Sequence, residues 1–199
     1  MKTLLASVAL AGLVAAPVAQ AEIWEIDPGH TEVVASWNHV GFSDQSLKFH
    51  EAEGQLDFTP GDPEGASAEF SILVDSVDTG VEMLDTELKG ETFFDAAEYP
   101  RVTFVSREVE QTGDMTLRVT GDLTVKDITA PATFEVTVNA IGDHPLAEFF
   151  DVYQGEFLGL TATATVSRSE FGLGALGMAA SDEIEIVINT EMKAGGFPG

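Results

Sequence analysis

The sequence contains no cysteine. That excludes disulfides, thiolate metal centres, thiol catalysis and thioether attachment of haem, and it leaves no thiol to carry a lipid anchor. Any fold must therefore stand on its own apolar core. Cations are almost as scarce, with 9 Lys and Arg against 34 Asp and Glu and a formal net charge of −25. Such a surface repels nucleic acid and anionic headgroups, and its acidic runs read as solvated faces. Beyond the first 21 residues no apolar run is long enough to span a membrane as a helix. No linker, internal repeat or low-complexity block interrupts the chain. His30, His39, His50 and His144 lack metal-ligand spacing, and there is no nucleophile elbow or zinc motif. Neither a metal, nor a cofactor, nor a catalytic constellation is expected.

What is present begins with a leader. Lys2 supplies a positive start, residues 4–16 are apolar, and Ala19-Gln20-Ala21 is a small-x-small cleavage site. Residues 1–21 are therefore expected to be a secretory signal peptide, with the mature chain starting at Glu22. Losing Lys2 takes the net charge from −25 to −26. The length suits one domain with a sizeable core. That domain is expected over residues 22–192, followed by a flexible tail at 193–199.

The dominant pattern is alternation. Val33, Ala35, Trp37 and His39 share one face of a strand; Ala68, Phe70, Ile72 and Val74 share another. Met115, Leu117, Val119, Leu123 and Val125 alternate with Thr116, Arg118, Thr120, Asp122 and Thr124. The same holds for Phe134, Val136 and Val138, for Ala162, Ala164 and Val166, and for Ile184, Ile186 and Ile188. Counting residues 55–58 and 101–109 gives eight long strands, plus a short one at 23–26. Each has one wet and one dry face, and turn signals such as Gly61-Asp62-Pro63 separate them. The pattern predicts an all-β fold, an antiparallel sandwich or barrel. About eight strands is the size at which a barrel either fills itself or holds one small ligand. Ala35, Ala162, Ala164 and Gly121 sit on the dry face among Phe70, Phe134 and Trp37. They leave room unless larger neighbours fill it.

One stretch breaks the alternation. Met83, Leu84 and Leu88 fall on one side of a helix, with Asp85 and Glu87 beside them. Gly90 ends that helix. Phe93-Phe94 then bring two rings together, and Tyr99-Pro100 extends the chain into the next strand. A short helix pinned by two rings either plugs the β structure or roofs a cavity in it.

Taken together, the motifs resemble the YceI family of lipocalin-like, periplasmic polyisoprenoid- and lipid-binding proteins. The matching residues are Ile26-Asp27-Pro28-Gly29-His30-Thr31, His39, Gly41, Ser43, Ser76-Val77-Asp78-Thr79-Gly80 and Phe93-Phe94-Asp95. Tyr99-Pro100, Thr103-Phe104, Ser106, Gly121-Asp122-Leu123-Thr124-Val125, Thr129-Ala130-Pro131 and Arg168-Ser169-Glu170-Phe171-Gly172-Leu173 complete them. The resemblance implies an extended eight-stranded antiparallel barrel with a short helix near its mouth. It also implies a periplasmic location and a long isoprenoid, quinone or fatty chain as ligand. One departure stands out. The family usually has Arg-Asp-x-His-Leu in the helix, where this chain has Leu84-Asp85-Thr86-Glu87-Leu88. Loss of the cations there implies a ligand with a neutral polar end.

The expected ligand-binding set follows from the dry faces and the resemblance. Trp37, Phe70, Phe93, Phe94, Phe104, Leu123, Phe134 and Phe171 are expected to face the interior or its mouth. Leu84, Asp85 and Leu88 come from the helix. His39 either bonds a ligand's polar end or is a satisfied core residue. Arg168 continues a dry face, so it must be paired. Its partner is Asp85, Asp95 or a ligand headgroup. Phe149, Phe150, Tyr153 and Phe157 form either plain packing, a mobile lid or a homodimer contact. Three function classes remain. The first is an exported carrier of a hydrophobic molecule, without enzymatic activity. The second is a lipid-modifying enzyme using His39 or Asp85 as acid or base. The third is a filled barrel that binds a protein.

Overall fold

The computed structural model describes residues 22–175 and 179–197, so the leader expected at 1–21 lies outside the described residues. The alternation folds as period-2 patterning requires. Strands β1 (Glu22–His39), β2 (Ser43–Phe49), β3 (Ala52–Thr59), β4 (Asp62–Leu73) and β5 (Val77–Asp78) precede the helix α1 (Glu82–Lys89). Strands β6 (Arg101–Gly113), β7 (Thr116–Val125), β8 (Ile128–Asp143), β9 (Glu156–Ser167) and β10 (Glu183–Ala194) follow it. Every pairing is antiparallel, and β10 returns to pair with β1, closing the sheet. Closure removes the exposed edges that an open sheet would present.

Ten strands make eight staves. β2 and β3 both run against β1, as two halves of one stave broken at His50-Glu51. β4 and β5 likewise run against β3 and β2, broken by a 3-10 turn at Val74–Ser76. β1 itself bulges between Ile26 and Thr31, at the same level. The three interruptions form one crease across neighbouring staves, which is how a sheet turns a corner. The Asp27 side chain holds the bulge, accepting from the Gly29 N–H at 2.8 Å and meeting His30 Nδ1 at 2.8 Å. The expected separate strand at 23–26 is thus the first part of β1. β10 runs to Ala194, past the expected boundary at 192. Lys193 is buried there, its Nζ donating to the Val152 carbonyl at 2.9 Å.

The two ends of the barrel differ. At one end lie the β1–β2 turn, the β7–β8 turn, α1 and the β9–β10 connection. That end is filled. Leu88 of α1, Phe94 and Trp37 pack against the core cluster that holds Leu47 and Phe49, and Phe94 meets Phe49 edge-on at 6.0 Å. Phe171 and Leu173, in the β9–β10 connection, join Leu123 and Phe134 in one buried core cluster. Of the two readings of the short helix, the structure has the plug. Pro131 is tolerated in β8 because β9 does not begin pairing with that strand until Glu135. At the opposite end lie the β3–β4 and β6–β7 turns and the β8–β9 loop.

Candidate ligand-binding site

Between the plug and the opposite end, the barrel is hollow. A cavity of about 480 Å³ runs along its axis. This lies within the range of roughly 300–1,000 Å³ typical of small-molecule sites. Leu160, Ala162, Ile186 and Ile188 line it, and each is only half-buried although it points into the barrel. A filled barrel would have buried them. Of the small residues, Ala35 and Ala162 border the cavity, as does Ala68. Gly121 does not leave room. A Cβ there would lie 2.3 Å from the Val105 carbonyl oxygen and 2.6 Å from the Phe104 ring, so its space belongs to Phe104.

The cavity opens where β4 and β6 part. They are paired only from Glu69–Val105 to Leu73–Arg101, beyond which each continues alone on that side. Pro60, Gly61 and Pro63 border the gap from one hairpin, and Asp114 and Met115 border it from the other. A bulge in β6 between Ser106 and Glu108 reverses the parity of that strand. It turns Val109 and Gln111 toward the cavity, although Phe104 faces it too. Across the barrel, Ile141 completes the rim; it is 45% exposed and Met115 is 44% exposed, so both serve lining and surface.

The lining is apolar, with Gln55, Gln111, Thr103, Thr116 and Thr190 as its uncharged polar groups. Its charged members are Glu69 and Asp114, and no Lys, Arg or His lines it among the described residues. Nearby cations are spent elsewhere. Arg118 bonds Glu135 at 2.8 Å and Glu110 at 3.0 Å on the outer face, and Arg101 bonds Glu53 at 2.9 Å. An interior of this kind desolvates a hydrocarbon chain well and holds an anionic group badly.

Of the expected site residues, Phe70, Phe104, Leu123 and Phe134 line the cavity, and Phe104 meets Phe134 edge-on at 4.9 Å. The others lie elsewhere. Trp37, Leu88, Phe94 and Phe171 belong to the packed end, Phe171 being 2% exposed. Phe93 is half-buried and joins neither core cluster. Leu84 is half-buried on α1, away from the lining. The Asp85 carboxylate accepts from both the N–H and the hydroxyl of Thr79, each at 2.7 Å, so it fastens α1 to the preceding turn. His39 is exposed at the end of β1, outside the lining.

Arg168 is buried, as an inward Arg must be, but neither Asp85 nor Asp95 is its partner. It leaves the barrel axis with the 3-10 turn that follows β9, and its guanidinium donates to the backbone. Nε meets the Ser181 carbonyl at 2.9 Å, Nη1 those of Leu173 and Ala175 (3.0 Å), and Nη2 that of Ala180 at 3.2 Å. It ties the β9–β10 connection into a plug and does not line the cavity. No group of three or more His, Asp or Glu among the described residues is arranged to hold a metal ion. No helix among them is long and apolar enough to cross a membrane.

Sequence reasoning missed the deeper lining on β9 and β10 and the rim residue Ile141, and it put Met115 on the dry face without assigning it to the site. Alternation had already put Ala162, Ile186 and Ile188 on the dry face. What it lacked was their level along the axis.

Comparison with known proteins bears on this cavity. Residues 24–192 match the family model of the YceI-like domain. A UPF0312 protein of Pseudomonas putida strain F1 is 30% identical over 194 residues, 96% of this chain and 97% of its own length. Burkholderia cenocepacia BcnA superposes with a TM-score of 0.73 at 26% identity, over 83% of this chain and 98% of that one. A polyisoprenoid binding domain from Saccharophagus degradans, implicated in plant cell wall breakdown, shares the fold. Its TM-score is 0.62 at 12% identity, over 86% of this chain and 98% of its own.

Proposed function

Because the chain belongs to the YceI-like domain family, we propose that it is an exported carrier of one long hydrophobic molecule with a neutral polar end. The observation that carries this reading is the hollow barrel. An apolar cavity of about 480 Å³ opens at one end and has no cation on its lining among the described residues. An isoprenoid alcohol or a quinone fits that chemistry. The chain enters along Phe70, Phe104 and Ile188, and the polar end stays at the rim, near Gln111 and Thr116. A phosphate or pyrophosphate there would meet Asp114 and find no Arg fork. The leader and the periplasmic location expected from the sequence complete the reading. A molecule of this kind is insoluble in water and needs a carrier to cross an aqueous compartment. The enzymatic alternative has little support, since Asp85 is spent on Thr79 and His39 lies away from the cavity.

Affinities for a matched isoprenoid alcohol and pyrophosphate test the proposal. The alcohol should bind more tightly to the wild type, and Asp114→Lys should narrow the difference. Leu84→Arg with Glu87→His should leave it unchanged, because α1 does not border the cavity. Organic extraction of the purified protein followed by mass spectrometry identifies the natural cargo. Tighter binding of the pyrophosphate by the wild type would refute the neutral-end reading.

A further inference from the structure

The β8–β9 loop, residues 144–155, sits at the open end of the barrel and consists of two 3-10 turns, Pro145–Glu148 and Asp151–Tyr153. Its base is well fastened. Tyr153 stacks on His144 with ring centres 4.2 Å apart and packs on Phe157 at 5.8 Å, while Lys193 bonds the Val152 carbonyl. These inward rings show that the loop can bury aromatics. It nevertheless leaves Phe149 72% exposed and Phe150 56% exposed, with Leu146 and Val152 exposed beside them. Single exposed apolar residues are ordinary, but adjacent exposed rings on a fastened loop are a surface in want of a partner.

This surface shares its end of the barrel with the cavity mouth, where Met115 and Ile141 are at once lining and exposed. We infer that the open end docks on a lipid bilayer with neutral or zwitterionic headgroups, Phe149 and Phe150 entering the interface. The inference rests on the carrier reading, because a water-insoluble cargo must be taken from an apolar reservoir and the mouth must meet it. Charge selects the kind of bilayer. Residues 144–155 contain Glu148 and Asp151 and no Lys or Arg, and Asp114 stands at the mouth. Anionic lipid would be repelled. A second copy docking by the same face would bring the same acids together, at a net charge of −25 each. A zwitterionic surface incurs neither cost, and aromatic rings suit the headgroup level of a bilayer.

Flotation with phosphatidylcholine vesicles tests this. The wild type should rise with the vesicles, and phosphatidylglycerol mixed into them should reduce the bound fraction. The double variant Phe149→Ser, Phe150→Ser should lose roughly tenfold or more in partition, since two rings leave the apolar phase. Both rings are exposed, so the variant should keep its fold. Unchanged binding of decylubiquinone in solution, measured by titration calorimetry, would verify this. Leu146→Ser should weaken flotation to a smaller degree. A wild type that binds decylubiquinone but stays with the buffer overturns the docking alone. Failure to bind decylubiquinone in solution overturns the carrier reading, whatever the vesicles do. Sedimentation velocity supplies a further outcome: a dimer that the double variant dissolves would make this face a contact between copies, and the bilayer inference would be wrong.

Discussion

Ala162→Phe distinguishes a hollow barrel from a packed one by the sign of its effect on stability. Ala162 points inward from β9, between Val136 and Ile188 on the flanking strands, and lines the cavity while only half-buried. A ring placed there enters empty space. Burying a Phe side chain stabilises by about 1.5–3 kcal/mol relative to leaving it in water. Some of that is lost to the ring's incomplete coverage, so about 2 kcal/mol is expected. For a domain of this size each kcal/mol moves Tm by about 2–4 °C, so Tm should rise by roughly 4–8 °C. In a packed barrel the same substitution would cost about 1–3 kcal/mol through overpacking, and Tm would fall. The measurement needs delipidated protein, because bound cargo would already fill the space. Thr163→Phe, one residue along on the wet face, serves as control and should change Tm little. The ring also takes volume from the ligand. Displacing about four buried methylenes at about 0.8 kcal/mol each should weaken binding on the order of a hundredfold. A fall in Tm with unchanged affinity for decylubiquinone would refute the hollow interior and the carrier with it.

Arg168→Met should cost about 3 kcal/mol, because the carbonyls of Leu173, Ala175, Ala180 and Ser181 lose a buried charged donor. At temperatures where the variant is folded its ligand affinity should equal the wild type's; a selective loss of affinity would mean that Arg168 meets the headgroup. Gly121→Ala should lower Tm and weaken ligand binding together, since the added methyl would lie 2.6 Å from the Phe104 ring and drive it toward the cavity. Thermal melts and titration calorimetry read both effects. The hydrogen bond that His30 donates to the Asp27 carboxylate raises the pKa of His30, reinforced by the Asp27 and Glu191 charges and opposed by burial. A raised folded pKa means that the contribution of His30 to stability is complete below its unfolded value, about 6.5, and is lost as pH rises through the folded value. NMR titration should place His30 above the model-peptide value in the wild type and return it toward that value in Asp27→Asn.

The barrel was legible because its signal is local. Glu135, Thr137 and Asn139 alternate with Phe134, Val136 and Val138, and that alone fixes which face of β8 is wet. Alternation alone leaves a sandwich and a barrel both open, and it is the resemblance to the YceI family that implies closure. The cavity was half legible for the same reason. Phe70, Phe104, Leu123 and Phe134 are large, so they stood out; Ala162 and Ile188 occupy the same face and are nondescript as residues. Alternation gives the face and leaves out the height, and height separates the hollow from the plug. The bulge at Arg107 adds a second obstacle. It reverses the parity of β6, so a strict count of two from Phe104 places Val109 outside, whereas the structure turns it inward. Arg168 shows a third. Its need for a partner could be read from the dry face it continues, but backbone carbonyls belong to every residue and leave no mark in a sequence.

Leu84 and Glu87 in place of Arg and His suggested a neutral ligand end, on the premise that α1 stands at the mouth. The register of the staves removes the premise. α1 lies between the end of β4 and the start of β6, whereas the cavity opens between the start of β4 and the end of β6. The same strands border both, at opposite ends. The neutral-end reading rests instead on other residues, Asp114 and Glu69, on a lining without cations among the described residues. The helix in turn acquires a plainer physical role. Leu88 and Phe94 seal the far end with Phe49, and Asp85 holds α1 in place through Thr79. A barrel packed at one end and open at the other has a direction, so under the proposed function a carried molecule would enter and leave by a single mouth. The exposed rings of the β8–β9 loop sit at that mouth, where a bilayer and the cavity can share one continuous apolar surface.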